Sequence, residues 1–113
     1  MEREERRKYP RFPVYYDLLY KKTAESNNNK KQAIVENVSR TGVKIRTSGI
    51  LKKDDELELT IYKSPNATPI GAHGRVVWYK ESPFVYGEKL AGIFFTKIGW
   101  TESGKLINKY YMD

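Results

Sequence analysis

Alternation of apolar and polar residues with a period of two marks much of this chain and predicts β-strands. The clearest case is segment 56–62, where Leu57, Leu59 and Ile61 alternate with polar residues and tyrosine. Segment 42–47 alternates in the same way. Four further strands are predicted from their β-branched, aliphatic and aromatic residues, with turn-forming residues between most of them, at 14–22, 32–38, 70–79 and 89–97.

The period changes after Gly99. Apolar residues then recur at a spacing of three to four, at Leu106, Ile107, Tyr110 and Tyr111. Thr101 suits the N-cap position of a helix at this point. Six strands followed by one short amphipathic helix predict an all-β fold, a small antiparallel six-stranded β-barrel with a C-terminal helix.

The residue types within the predicted strands also indicate a bulge and a set of buried side chains. A bulge is expected at Gly71 or Gly74, because an isolated glycine within a strand pattern commonly marks one. Residues 76–78 are expected to be the buried part of that strand. Phe94 and Phe95 lie within an apolar run and, like Trp78, are expected in the core.

The chain of 113 residues is expected to form one domain, and it contains no cysteine. This composition excludes disulfides, thiolate metal sites and cysteine nucleophiles, and it fits a reducing compartment, so we expect a cytoplasmic protein. No apolar run approaches the roughly 20 residues of a membrane-spanning helix, and the charged residues 1–8 lack the apolar core of a signal peptide. We therefore expect a soluble chain that is neither exported nor membrane-spanning.

Basic residues outnumber acidic ones. A formal net charge of +7 and a pI of about 9.5 favour an anionic partner. Nucleic acid, a nucleotide, an acidic protein and anionic lipid all fit this charge, which alone does not choose among them.

No catalytic centre is predicted. His73 is the only histidine, and no carboxylate cluster lies near it at metal-ligand spacing, so a surface or barrel-lining position is expected for it. Asp54, Asp55 and Glu56 are explained as a charged turn before a strand. Because no nucleophile, base and oxyanion donors assemble, we expect neither an enzyme nor a bound metal or cofactor.

A basic run precedes the first predicted strand and contains Arg6, Arg7 and Arg11. Pro10 and Pro13 favour extended geometry before them, so residues 1–10 are predicted to form a flexible arginine strap and residues 11–113 the barrel domain. Guanidinium groups are planar, permanently charged donors that suit phosphates and the acceptor edge of guanine. Alone, such a run is ordinarily a solvated tail.

The turn Asn37-x-Ser39-x-x-Gly42 lies between two predicted strands. It offers an amide, a rotatable hydroxyl and a backbone that a ligand can approach closely. The alternative is a plain Asx or Ser turn that only joins the strands.

Taken together, Arg7-x-x-x-Arg11 and Asn37-x-Ser39-x-x-Gly42 resemble the two motifs of the PilZ domain family, which are bacterial receptors for cyclic di-GMP. Both motifs are complete. The resemblance extends to Gly74-Arg75-Val76-Val77-Trp78 and to Leu90-Ala91-Gly92-Ile93-Phe94-Phe95, and so covers nearly the whole chain in the expected order.

The resemblance implies a set of ligand contacts. In PilZ domains the two arginines, here Arg7 and Arg11, grip phosphate and the O6/N7 edge of guanine while the strap folds over the ligand. Asn37 would pair with guanine N1–H and N2–H, Ser39 would reach phosphate or base, and Gly42 would leave room.

Two more arginines add narrower predictions. An arginine immediately before the first motif, here Arg6, implies a stacked pair of cyclic di-GMP molecules; the alternative is a solvated side chain. Arg40 lies inside the second motif and is either a further phosphate contact or an outward-facing turn charge.

The resulting hypothesis is a receptor whose ligand orders the strap and changes the surface shown to an unidentified protein partner. The family implies control of motility, adhesion or exopolysaccharide. Two alternatives remain open. One is a basic barrel that binds single-stranded nucleic acid, which the clustering of the arginines beside one turn disfavours. The other is a protein-interaction module that binds no ligand.

Overall fold

The six alternating segments pair edge to edge and close a barrel around their apolar faces. The computed structural model describes residues 9–26 and 29–107, and within them all six strand pairings are antiparallel, in the order β1-β2-β3-β6-β5-β4. The strands are β1 (Phe12–Lys22), β2 (Lys31–Val38), β3 (Gly42–Thr47), β4 (Glu56–Tyr62), β5 (Ile70–Glu81) and β6 (Lys89–Lys97), and helix α1 spans Trp100–Ile107.

The predicted fold class and the order of its elements are confirmed, with small changes at the ends of elements. β1 begins at Phe12 because Phe12 and Pro13 already pair with the end of β2. Thr101 is not the N-cap that was predicted. It lies inside α1, and the first intrahelical bond runs from the Ser103 amide to the Gly99 carbonyl at 2.9 Å.

The inward-facing side chains of the strands fill the barrel with aliphatic and aromatic groups. Burying one large aliphatic side chain stabilises a fold by roughly 1.5–3 kcal/mol, so this core accounts for much of the driving force for folding. Its fully buried members from the strands include Leu18, Val35, Val43, Ile45, Leu57, Ile61 and Val76.

Bulges interrupt the pairing at several places. In β2, Val35 opposes Ile45 and Asn37 opposes Lys44, so Glu36 is one residue more than the partner strand provides. β1 has an irregularity at the same level, between residues 13 and 16. The bulge expected at Gly71 or Gly74 is not formed by either glycine. The register against β6 does shift between His73 and Gly74, but the extra residue there, Thr96, belongs to β6; the extra residue of β5 is Val77, where the register shifts again between residues 76 and 78.

The second shift in β5 contradicts the predicted burial of its residues 76–78. Val76 is buried, but Val77 is 39% exposed, and Trp78 lies across Gly92 of β6, where an added Cβ would come within 2.2 Å of the indole nitrogen. The prediction for Phe94 is also wrong, because Phe94 lies between the buried Ile93 and Phe95, points to the opposite face of the strand and is 44% exposed. Phe95 points inward and is buried as expected.

Helix α1 is held against the barrel by both packing and a hydrogen bond. Leu106 and Ile107 are buried, and the Tyr16 hydroxyl donates to the Leu106 carbonyl at 2.8 Å. This bond satisfies one of the carbonyls that a helix end leaves without an intrahelical partner. Tyr110 and Tyr111, predicted to continue the apolar face, lie outside the described residues.

Two kinds of functional feature are absent from residues 9–26 and 29–107. No helix there has the length and apolar character needed to cross a membrane. No cluster of three or more histidine, cysteine, aspartate or glutamate side chains there could hold a metal ion. His73, predicted at the surface or lining the barrel, is exposed.

Candidate functional site

Strand pairing brings together the first motif, Arg7-x-x-x-Arg11, at Arg11 and the second motif, Asn37-x-Ser39-x-x-Gly42, at Asn37. Because Phe12 pairs with Val38 and Pro13 with Asn37, the residue before β1 lies beside the end of β2. That residue is Arg11, and its Nη1 donates a hydrogen bond to Asn37 Oδ1 at 3.0 Å. Residues 26 positions apart in sequence are therefore in direct contact.

An open groove of about 560 Å³ lies around this contact. We call it the polar groove; it is lined by Arg11, Pro13, Val14, Glu36, Asn37 and Arg46. The bulge in β2 places Glu36 beside Asn37 on the outer face, since both oppose Lys44 between the buried Val35 and Val38. Sequence reasoning missed Glu36, although two polar residues in succession between two valines signalled a break in the alternation.

Charges in the polar groove compensate one another. The Glu36 carboxylate is in ion-pair contact with Arg46 Nε, in a geometry that is not that of a hydrogen bond, and lies 3.5 Å from Lys44 Nζ. Arg46 Nη1 also lies 3.4 Å from Oε2 of Glu88, the residue just before β6. Arg46 thus connects a carboxylate inside the groove with one outside it.

Ser39 belongs to the turn between β2 and β3. The residue is 2% exposed, its Oγ accepts from the Thr41 amide at 3.2 Å, and its own amide donates to the Gly42 carbonyl at 2.9 Å. These bonds give Ser39 a structural role, as in the plain turn considered above. A contact from its hydroxyl to a ligand stays a prediction.

Gly42 is required by the barrel itself. It pairs with Phe94, and a Cβ at this position would come within 2.2 Å of the Ile93 carbonyl oxygen. Because that oxygen is part of the backbone, it cannot rotate away. The close approach is therefore that of strand β6, and room for a ligand is not needed to explain this glycine.

Arg40 packs on helix α1 and is not an outward-facing turn charge. Its guanidinium carbon lies 3.7 Å from the centre of the Trp100 ring, a cation–π arrangement. Its Nη1 donates to the Trp100 carbonyl at 2.8 Å and to Ser103 Oγ at 3.0 Å. Arg40 therefore ties the second motif to α1, and a phosphate contact by it is a prediction that would need these bonds to be exchanged.

Arg6 and Arg7 lie outside the described residues, together with the rest of segment 1–8. Their assignment to the ligand, and the division into a strap and a barrel domain, remain predictions. Of the predicted site residues that the structure describes, Arg11 and Asn37 lie on the outer face. Ser39 and Gly42 lie behind them in what we call the barrel wall, the residues whose contacts hold the barrel together.

Comparison with known proteins assigns this arrangement to a family. The family model described as PilZ domain matches residues 5–107. The chain belongs to the PilZ domain family. The match includes both arginine positions of the first motif and the whole of the second, so the PilZ resemblance seen in the sequence is confirmed.

Solved structures show the same PilZ fold. The inhibitor of motility MotI/DgrA of Bacillus subtilis superposes with a TM-score of 0.75 at 15% identity, over 92% of this chain and 49% of that one. The PilZ domain of YcgR from Escherichia coli, solved with cyclic di-GMP, superposes with a TM-score of 0.71 at 13% identity, over 89% of this chain and 86% of that one. This PilZ chain thus spans about half the length of MotI. A search of curated proteins gave no match.

Proposed function

We propose that this PilZ chain is a receptor domain for cyclic di-GMP, which binds in the polar groove between Arg11 and Asn37. The observation that carries the proposal is the 3.0 Å hydrogen bond between these two side chains on a PilZ barrel. Support also comes from the structural likeness to a YcgR domain that was solved with this ligand.

The chemistry of the ligand matches the groove. A cyclic dinucleotide of guanosine carries two phosphodiester charges and two guanine bases, and an arginine fork recognises either phosphate or the O6/N7 edge bidentately. Arg11 would exchange its bond to Asn37 for the ligand. Asn37 Oδ1 would then accept from guanine N1–H and N2–H, so the existing contact holds both side chains in place before the ligand arrives.

Glu36 would repel the ligand's phosphates if it were uncompensated. Lys44 and Arg46 surround its carboxylate, which lowers the local negative charge next to Asn37. Arg46 also lines the polar groove, so it is placed to contact a phosphate at the expense of its ion pairs.

The first motif completes the site in this proposal. Arg7 would bind with Arg11, and residues 1–10 would close over the ligand as a strap. Arg6 would hold a second, stacked cyclic di-GMP molecule, and closure of the strap would change the surface available to a partner protein. Because MotI is named as an inhibitor of motility, motility is the first process to examine in cells.

Isothermal titration with cyclic di-GMP tests the proposal. We expect saturable binding to the wild type, with two ligands per chain, and one ligand per chain for Arg6→Ala. Cyclic di-AMP should not compete, because adenine lacks the N1–H and N2–H donors and the O6 acceptor. A single-stranded oligothymidylate should not bind at 150 mM salt, whereas the nucleic-acid alternative requires that it does.

A matched variant controls for the removal of one positive charge. Arg75 pairs with Glu56 and does not line the polar groove. Arg75→Ala should therefore bind cyclic di-GMP as the wild type does. A wild type that gives no heat with cyclic di-GMP at high micromolar concentration, while remaining folded, would refute the proposed function.

A further inference from the structure

A second groove, of about 810 Å³, lies on the outer face of the barrel next to the polar groove. Strand pairing aligns Tyr62 of β4, Asp17 of β1, Ile34 of β2 and Arg46 of β3 in one row across the outer face. The next row includes Leu19, opposite Gln32. Outward positions of a small barrel are ordinarily polar, so three large apolar side chains in these rows form an unusual surface.

Two loops rise beside this surface and turn it into a groove. Pro65, between β4 and β5, borders one side. The loop between β5 and β6 borders the other with Val85 and Tyr86, and both of these side chains are exposed. We call this the apolar groove; besides the two rows and the loop residues named here, it is lined by Ser48 and Glu88 among others.

The charges at the apolar groove have the sign opposite to that of the whole chain. Asp17 lies in the floor of the groove and is exposed, and Glu88 lies at its edge. Among the described residues of the lining, Arg46 is the only lysine or arginine, and it contacts the carboxylates of Glu36 and Glu88. A groove of net negative charge in a chain of net charge +7 disfavours anionic lipid and nucleic acid and favours a cationic occupant.

We propose that the apolar groove binds a segment of a partner protein that carries large apolar side chains and at least one lysine or arginine. The apolar side chains contact Leu19, Ile34 and Tyr62, and the basic residue pairs with Asp17. A concave surface with apolar rows and an exposed tyrosine at its edge has the apolar and aromatic character of a protein-docking site, and the Asp17 carboxylate adds a preference for a basic residue.

The apolar groove also adjoins the polar groove through one shared side chain. Arg46 lines both grooves. It contacts Glu36, which lies in the polar groove, and Glu88, which lies in the loop between β5 and β6 at the edge of the apolar groove. If the proposed function holds, a phosphate that recruits Arg46 releases Glu88 and thereby alters the edge of the apolar groove. Cyclic di-GMP would then change the affinity for the docked segment.

Selection from a phage library of random dodecapeptides tests the docking site on the full chain. The peptides are selected on the wild type after depletion on Asp17→Lys. We expect enrichment of peptides that combine aromatic or aliphatic residues with lysine or arginine. A synthetic copy of the strongest should bind the wild type in a fluorescence-anisotropy titration and shift the amide signals of Leu19 and Ile34 in a ¹⁵N-resolved spectrum.

Matched variants locate the binding. Tyr86→Ser removes a fully exposed groove residue and Leu19→Ser a floor residue, and each should weaken the synthetic peptide at least about tenfold. Phe84→Ser is the control, because Phe84 is 90% exposed in the same loop but does not line the groove. Glu25→Lys controls for the charge reversal at Asp17.

Four outcomes would overturn the docking site. The first is that no peptide is enriched, and the second is that the enriched peptides are acidic. The third is that the peptides bind Tyr86→Ser and Leu19→Ser as tightly as the wild type. The fourth is that the apolar groove binds a different occupant. The last is examined with vesicles of phosphatidylcholine and phosphatidylglycerol, whose binding would have to depend on Tyr86, and by sedimentation equilibrium, where a dimer would have to be broken by Leu19→Ser.

A separate titration tests the connection to the ligand. Saturating cyclic di-GMP should change the affinity of the wild type for the peptide at least about fivefold, and Glu88→Gln, which lies outside the polar groove, should abolish the change but still bind cyclic di-GMP. Ligand binding without any change in peptide affinity refutes the connection. A wild type that binds the peptide but not cyclic di-GMP refutes only the proposed function.

Discussion

The polar groove and the apolar groove are neighbours on the outer face of the barrel and share Arg46, but they arise in opposite ways. In the polar groove a bulge interrupts β2 and brings Glu36 next to Asn37. In the apolar groove the strands are regular, and apolar residues simply occupy outward positions. The polar groove thus depends on an irregular backbone. The apolar groove depends on a regular backbone whose outward positions carry apolar residues in place of polar ones.

The same contrast divides the second motif. Asn37 faces the polar groove and contacts Arg11, whereas Ser39 and Gly42 are part of the wall. Substitutions in the barrel wall should therefore alter the free energy of unfolding, and substitutions of residues that line the grooves should alter ligand affinity.

The largest effect is expected at Gly42. Gly42→Val places a branched side chain against the Ile93 carbonyl and should lower the free energy of unfolding by about 3 kcal/mol, the upper end of the usual cost of overpacking. Urea denaturation followed by tryptophan fluorescence measures it. Gly71→Val is the control, because no atom lies within 4 Å of a Cβ added there. Equal losses at both glycines would show that the close approach of β6 is not the reason.

Arg11→Ala should reduce the affinity for cyclic di-GMP at least tenfold, because a charge-assisted hydrogen bond contributes roughly 1.5–3 kcal/mol. The free energy of unfolding should change by less than about 1 kcal/mol, since the contact with Asn37 is exposed. Titration calorimetry and denaturation measure the two quantities on the same sample. A variant that loses stability and keeps its affinity would place Arg11 in the wall instead of the site.

Tyr20 is a buried residue of the barrel wall, and Tyr20→Phe tests its contribution to the pH dependence of stability. Burial raises the pKa of Tyr20 above its usual value near 10, with an opposing contribution from its hydrogen bond to Thr47 at 3.0 Å. The folded state keeps this hydroxyl neutral, so its stabilisation is fully present below about pH 10 and is lost as the pH rises through the raised pKa. Tyr20→Phe should cost about 1 kcal/mol at neutral pH and lessen the decline in stability above pH 10.

The control for that prediction is Tyr86→Phe. Tyr86 is fully exposed, so removal of its hydroxyl should leave the pH profile of stability unchanged. Thermal denaturation between pH 7 and pH 11 gives both profiles. Parallel profiles for Tyr20→Phe and the wild type would contradict the assignment.

The smallest effect is expected at Trp100. Trp100→Ala removes the ring that Arg40 covers and should lower the free energy of unfolding by about 0.5–1 kcal/mol. Affinity for cyclic di-GMP should stay unchanged if Arg40 acts only in the wall. Trp100→Phe, which keeps an aromatic face, should recover part of the loss. A marked fall in affinity would indicate that α1 supports the polar groove through Arg40.

Much of the architecture followed from the sequence because strand formation depends on local alternation. The segments at 42–47 and 89–97 agree with β3 and β6 as they stand in the structure. The two motifs also identified the family, since their residues are read directly. The burial of Val77, Trp78 and Phe94 could not be predicted in the same way, because bulges and register shifts depend on the partner strand.

The sequence by itself determined six strands, one helix, the basic charge and the motif residues Arg11 and Asn37. Only the tertiary structure decided that Glu36 and Arg46 join them, that Ser39 and Gly42 serve the wall, and that outward apolar residues form a second groove. The physical reason is pairing. Which side chains share a face is set by the register between strands distant in sequence, and one inserted residue changes that face for its neighbours.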